Sequence, residues 1–433
     1  MILLGYVLKQ KCMNCGAEYA PDAWMVKGCP ACKTDSFVSN LEVIYDIDAI
    51  SDLLDKKTIK QRKARSLWRY KEFLPINQEK NRLTLGEGST PLTKCEHVGE
   101  YADISTVYVK NESVNPTWSF KDRLCCTVVC KARELGFDTV TISTSGNHGA
   151  ATAAYASKAG LHCVIFTFEY TSAAMKTSMQ IYNPMIVATP SAVDRWVLMN
   201  QCIDTYGWAL AGDYVHLLDD NTFLLVGSSP FAKDGYKTIA FEIIEQLDWT
   251  VPDWVSQPTC YANGLQGVWH GFRDFQDVGF IDSLPKMVAA EKAGILAEAL
   301  EKGREYPLQV EYKRSIALSI AGFLSTFQGL KAVRDSHGRA VPSEDAELLE
   351  MQRMLGKDGV FAEASSAASL VALKKLREEG TIDKQDVTVG IITGSGLKDI
   401  DPTHEYLPPL PVITPTFKEL KKTLHKVYGF TIE

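Results

Sequence analysis

The chain has 433 residues, 45% hydrophobic, 23% charged and 10% aromatic, with 30 glycines and 18 prolines. These proportions exclude collagen-like, coiled-coil and disordered chains, and at roughly 100–200 residues per domain the length predicts two or three domains. Lysine and arginine number 46 against 53 aspartate and glutamate, a net charge of −7, so a basic surface for nucleic acid or anionic membrane is not expected. No apolar stretch approaches the ~20 residues that span a bilayer. Met1 to Lys9 is too short for a secretory signal, and a cytoplasmic location is expected.

Four of the eleven cysteines fall in a pattern. Cys12 and Cys15, then Cys29 and Cys32, make two Cys-x2-Cys knuckles with thirteen residues between them. That spacing predicts a four-thiolate zinc site, which has no open position and is therefore structural rather than catalytic. Metal binding can supply the folding free energy that so short a segment lacks. The other reading is four free thiols that happen to pair. Cys95, Cys125, Cys126, Cys130, Cys163, Cys202 and Cys260 lie in apolar company and read as small core residues.

Residues 45–82 are polar, and the basic run Lys56 to Arg69 reads as a solvated helix face rather than a binding patch. Beyond it, short apolar runs alternate with helical stretches. Strands are expected at Thr106–Val109, Thr139–Ile142, His162–Phe166, Met185–Ala188, Trp254–Thr259 and Val387–Ile392, with helices at Asp122–Leu135 and Asn147–Ala159. Such alternation implies an α/β fold with parallel sheets covered on both faces.

In open α/β sheets, ligands collect where strands end and helices begin. One junction runs from Asn115 to Arg123 and includes Ser119-Phe120-Lys121-Asp122. Lys121 at a helix mouth is a candidate Schiff-base nucleophile; taken alone it also reads as a surface lysine. The next junction, Ser143-Thr144-Ser145-Gly146-Asn147-His148-Gly149, suits an anion at a helix N-terminus or is a plain cap. A third covers Thr259 to Gly267, and a fourth is Thr393-Gly394-Ser395-Gly396-Leu397-Lys398-Asp399. Either alone could be an ordinary glycine turn.

In this order the motifs resemble the threonine synthase branch of the fold-type II pyridoxal 5′-phosphate (PLP) enzymes. The resemblance is carried by the cysteine knuckles, Trp68-Arg69-Tyr70 with Phe73-Leu74-Pro75, Leu85 to Leu92, Asn115 to Arg123, Ser145-Gly146-Asn147, and Thr393 to Asp399. It implies two open parallel-sheet domains of the tryptophan synthase β-like type, preceded by a small zinc ribbon. The implied division is 1–45 for the ribbon and 46–104 for a linker with the start of the larger domain. A smaller domain would follow at 105–235, the rest of the larger domain at 236–405, and an extension at 406–433. By the same resemblance Lys121 carries PLP, Phe120 lies beneath its ring, and Asn147 bonds the ring's 3′-oxygen. Cys260, Tyr261, Ala262, Asn263 and Gly264 cradle the phosphate, and Thr393 faces the pyridine nitrogen. Thr144, Ser145, His148 and Lys233 are expected to meet the substrate. A hydroxyl at the pyridine nitrogen makes a weaker electron sink than an aspartate partner would, which favours elimination and replacement over transamination.

Two departures stand out. The phosphate loop holds only one glycine, Gly264. Ala232 occupies the place of the arginine expected to grip a substrate phosphate, and Lys233 is one place off. Three functions therefore remain in view. The default is conversion of O-phosphohomoserine to threonine; the others are a sibling PLP enzyme acting on another amino acid and a non-catalytic zinc-ribbon scaffold. The expected partners are a small-molecule amino acid and, as the assembly to test, a second copy of the chain.

Overall fold

Six strands that lie far apart in the sequence form the larger sheet, in the order Arg339–Pro342, Lys286–Glu291, Trp254–Pro258, Val387–Ile392, Thr106–Asn111 and Leu92–Lys94. All neighbours are parallel except the last pair. The structure, a computed structural model, describes residues 5–191, 193–218 and 222–432. Trp254–Pro258 is buried throughout and Val387–Ile392 everywhere but its first residue, as expected for parallel strands with helices on both faces. A second, four-stranded parallel sheet has the order Met185–Thr189, His162–Phe168, Thr139–Ser143, Ala209–Leu210. An antiparallel hairpin, Asp213–Leu217 with Phe223–Ser228, follows it.

The strand Thr106–Asn111 departs from the expected division. The division implied by the resemblance places it in the smaller domain, but it pairs along its whole length with Val387–Ile392 of the larger sheet. The reason is that a parallel strand takes its neighbours from across a long crossover, not from adjacent sequence. The basic run differs too. Arg62 binds Glu72 at 2.7 and 2.8 Å, and Arg69 binds Glu245 at 2.9 and 2.5 Å, from half-buried positions. These arginines pin the short helix Leu67–Phe73 so that Tyr70 and Phe73 pack on Phe241.

The central helix, Pro230–Gln246, is capped by Ser229, opens with a proline, and is buried from Pro230 to Ile244. It packs between the helices Lys121–Glu134 and Asn263–Asp277. There Gly235 lets the Arg123 carbonyl approach, and Gly267 and Gly271 let helix Asn263–Asp277 close on the Lys233 and Lys237 carbonyls. The N-terminal ribbon is a three-stranded antiparallel sheet, Glu18–Tyr19, Val7–Cys12 and Leu41–Tyr45. It docks through Asn40 Nδ2 on the carbonyls of Val226 and Ser228 (2.9 and 2.8 Å) and through Gln266 Nε2 on the Met13 sulfur (3.1 Å). Residues Ile400–Glu433 form a separate compact unit with helices Asp401–Tyr406 and Phe417–Tyr428. No helix among the described residues is long and apolar enough to cross a membrane.

Candidate active site

Lys121 opens the helix Lys121–Glu134, and its loop is laced to the loop after Val387–Ile392. Phe120 N donates to the Thr393 carbonyl (2.9 Å), and Ser395 N donates to that of Trp118 (3.0 Å). The Lys121 Nζ lies 4.7 Å from the Phe120 ring centroid, and that ring stacks on Tyr236 at 4.9 Å. Burial pushes the Lys121 ammonium below its ordinary pKa, with Asp213 the strongest of the acids that oppose the shift. A neutral amine, the form that attacks a carbonyl or takes up a proton, is thereby favoured.

The helix start is fixed from behind by buried charges. Arg123 binds Glu112 at 2.6 and 2.8 Å and Glu242 at 2.7 and 2.8 Å, and Lys110 binds Glu242 at 2.7 Å. Glu242 also accepts the amides of Ser89 and Thr90. The Leu85–Leu92 segment and the Ser119–Arg123 segment, both flagged in the sequence, are thus two sides of one network.

Asn147 begins the helix Asn147–Ala159. Its Nδ2 donates to Glu363 at 2.7 Å, while its Oδ1 is buried with no partner among the described residues. Thr393 is buried, with its hydroxyl 3.0 Å from Ser366 Oγ. At the third junction Ala262 adopts a left-handed φ of 61°, and the helix Asn263–Asp277 starts directly after it. Gly264 is required there by close approach: a Cβ would lie 2.0 Å from Gln257 Nε2 and 2.9 Å from the Phe120 ring. The helix start and Lys121 therefore flank the same space.

This donor set fits PLP. It offers a desolvated lysine, an unsatisfied asparagine oxygen, a buried hydroxyl, and a helix N-terminus able to receive a phosphate. A family model for pyridoxal-phosphate dependent enzymes matches residues 83–394. Over 400 residues the chain is 35% identical to a threonine synthase of Methanocaldococcus jannaschii, covering 90% of this chain and 93% of that protein. A threonine synthase of Methanosarcina acetivorans is 34% identical over 394 residues, covering 90% and 92%. The chain belongs to the pyridoxal-phosphate dependent enzymes, on their threonine synthase-like branch. A solved maize serine racemase shares the fold, with a TM-score of 0.60 at 19% identity over 73% of this chain and 90% of the other.

The enzyme does not bring all the sequence-flagged residues to one place. Ser145 is exposed, and Thr144 accepts a hydrogen bond from Gly146 N at 3.3 Å in front of helix Asn147–Ala159. His148 is buried with Nε2 on the Ala211 carbonyl at 3.1 Å, and burial lowers its pKa well below the usual value. Lys233 points its ammonium at the Leu41 carbonyl of the ribbon, 3.1 Å away. Burial pushes its pKa down to about 7. One residue along a helix is a turn of ~100°, so Lys233 does not take over the direction of position 232. Ala232 itself is buried. In the loop 260–264 the Tyr261 and Cys260 carbonyls are tied down by Thr326 and Ser325 hydroxyls, both at 2.9 Å. The Asn263 side chain is turned to Asp213 and Ser228 rather than left free.

The sulfurs of Cys12, Cys15, Cys29 and Cys32 all lie within 4.8 Å of one another, with Cys12–Cys32 at 3.6 Å and Cys15–Cys29 at 3.7 Å. A tetrahedron with ~2.3 Å zinc–sulfur bonds has edges of about 3.8 Å, so the cluster fits a zinc ion. Sequence reasoning missed Glu363 and Asp213. Glu363 precedes the helix Ala364–Glu378 and caps no motif of its own; only the fold brings it to Asn147.

Proposed function

We propose that the enzyme catalyses elimination and replacement on an amino acid side chain, with O-phosphohomoserine to threonine as its reaction. The observation that carries this is Lys121, a desolvated lysine beside Asn147, Thr393 and a helix N-terminus, in a chain similar to threonine synthases along nine-tenths of its length. Bound PLP supplies the electron sink for carbanions formed at the substrate. Lys121 would hold the cofactor's aldehyde carbon, and its desolvated amine is suited to moving protons at the substrate's Cα and Cβ. Phe120 would support the ring, Asn147 would bond its 3′-oxygen, and Thr393, held by Ser366, would meet its nitrogen. The amides of 260–264 would hold the phosphate. Thr144, Ser145 and the amides that follow them receive the substrate carboxylate, while His148 supports that loop from beneath.

A second reading, an amino acid with a different leaving group, is favoured by one observation. Ala232 is buried without a charge, and Lys233 is committed to Leu41. The cysteine cluster is proposed to hold one structural zinc. No disulfide joins the cysteines among the described residues, which supports a reducing compartment and hence the cytoplasm; a homodimer is the assembly to test.

The purified protein should be yellow, and borohydride should bleach the colour and fix the cofactor to the peptide containing Lys121. A protein that stays colourless in excess PLP refutes the assignment. Side-by-side kinetics on O-phosphohomoserine, O-phosphoserine, O-acetylhomoserine, serine and threonine separate the two readings. A kcat/KM of ~10⁴ M⁻¹s⁻¹ or more for threonine formation from O-phosphohomoserine selects the first.

A further inference from the structure

The phosphate loop poses a structural problem. Ala262 sits in the left-handed region, where an alanine is strained and a glycine is not. Such a conformation persists only where its surroundings fix it. Directly after it, Asn263 spends both ends of its side chain on the hairpin. Its Oδ1 accepts Ser228 N at 3.2 Å, and its Nδ2 donates to Asp213 Oδ1 at 2.6 Å. The same carboxylate oxygen takes the Ser228 hydroxyl at 3.0 Å. Asp213 and Ser228 face each other as the end pair of the hairpin ladder. Gly227, at φ 88°, leaves the Asn263 amide room that a Cβ would fill, 2.6 Å from Oδ1. The first turn of Asn263–Asp277 is thus clamped to the separate two-stranded hairpin, and Asn263 has only its backbone N–H left for a ligand.

We propose that Asp213 is a positioning residue for the cofactor's phosphate, holding the first turn of Asn263–Asp277 through the Asn263 amide in place of the glycines this loop lacks. The inference rests on the PLP reading of the site. A carboxylate beside a phosphate is repulsive unless compensated. That compensation comes from the two neutral donors on its Oδ1, the Ser228 hydroxyl and the Asn263 amide. An asparagine at 213 keeps an acceptor for Asn263 Nδ2, whereas an alanine removes it.

The test compares PLP with pyridoxal, which lacks the phosphate, on cofactor-stripped wild type, Asp213→Asn and Asp213→Ala. Binding is read from the visible absorbance. Wild type should prefer PLP strongly. Asp213→Ala should lower that preference at least tenfold by weakening PLP and leaving pyridoxal unchanged, and Asp213→Asn should stay within threefold of wild type. If Asp213→Ala does not fold, Asn263→Ala cuts the same link from the other side and should give the same loss. An unchanged preference, or equal weakening of both ligands, overturns the proposal, since general damage to the fold does not distinguish them. A wild type that binds neither ligand refutes the PLP reading instead.

Discussion

Replacing Glu242 by glutamine removes one charge from a buried group of two anions and two cations. Arg123, Glu112 and Lys110 have no exposed side-chain surface, and Glu242 has 4%. Burial works against the Glu242 carboxylate, but Arg123 and Lys110 outweigh it and hold its pKa far below the ordinary value of 4.5. A glutamine keeps one acceptor oxygen but leaves Arg123 and Lys110 facing Glu112 alone. Summing its three cationic hydrogen bonds at ~1.5–3 kcal/mol each overshoots, because the neighbours relax. The measured cost of breaking a buried ion pair, about 3–5 kcal/mol, is the better guide. The loss should be read by urea denaturation of wild type and Glu242→Gln at pH 7, with Asp248→Asn as control. Asp248 pairs with Lys60 at the surface, half or more exposed on both sides, and should cost under about 1 kcal/mol. A group whose folded pKa is depressed contributes stability above its unfolded pKa and loses it as pH falls. The gap between wild type and Glu242→Gln should therefore narrow steadily below about pH 4.5. A loss at pH 7 no larger than the control's, or one that does not narrow in acid, refutes the reasoning.

Three further outcomes are expected. Lys233, lowered by burial from 10.5 to about 7, binds fewer protons folded than unfolded between those values. Stability should thus rise with pH across that window, and Lys233→Met should flatten the rise in denaturation curves taken at pH 7 to 10. Freshly purified, reduced protein should contain one equivalent of zinc by metal analysis, and Cys15→Ser should lower stability and yield. Less than half an equivalent counts against the site. Trp118 is 56% exposed at φ 62°, so Trp118→Asn should raise stability by up to ~1 kcal/mol, measured by the same denaturation assay.

The sequence reading succeeded where chemistry is written locally. Apolar runs such as Val387–Ile392 can only be buried strands, and Ser119-Phe120-Lys121 marks a helix mouth because hydroxyl, ring and amine sit together at a strand-to-helix junction. What it missed depends on pairing across the chain. Thr106–Asn111 was put with the wrong sheet because its partner is Val387–Ile392, about 280 residues on. Asp213 and Glu363 escaped notice because a single acid in a loop reads as solvent-exposed. Only burial beside Lys121 distinguishes them. Lys233 could be flagged by its position in the helix, but its direction is set by the ribbon strand Leu41–Tyr45, where it meets the Leu41 carbonyl 192 residues upstream and where Tyr45 binds Asp234.

The ribbon is synthesised well before the surface it docks on. Asn40 binds Ser228, Leu41 binds Lys233 and Met13 binds Gln266, across 188, 192 and 253 residues respectively. At roughly 5–20 residues per second the nascent ribbon waits on the order of 10–50 seconds for the surface it covers. Through that interval its strands must hold together without their partner, and a closed four-thiolate metal site would let them do so. With zinc bound, the cysteine cluster would thus act during biosynthesis as a brace. It would keep the ribbon in shape until Ser228, Lys233 and Gln266 arrive to receive it.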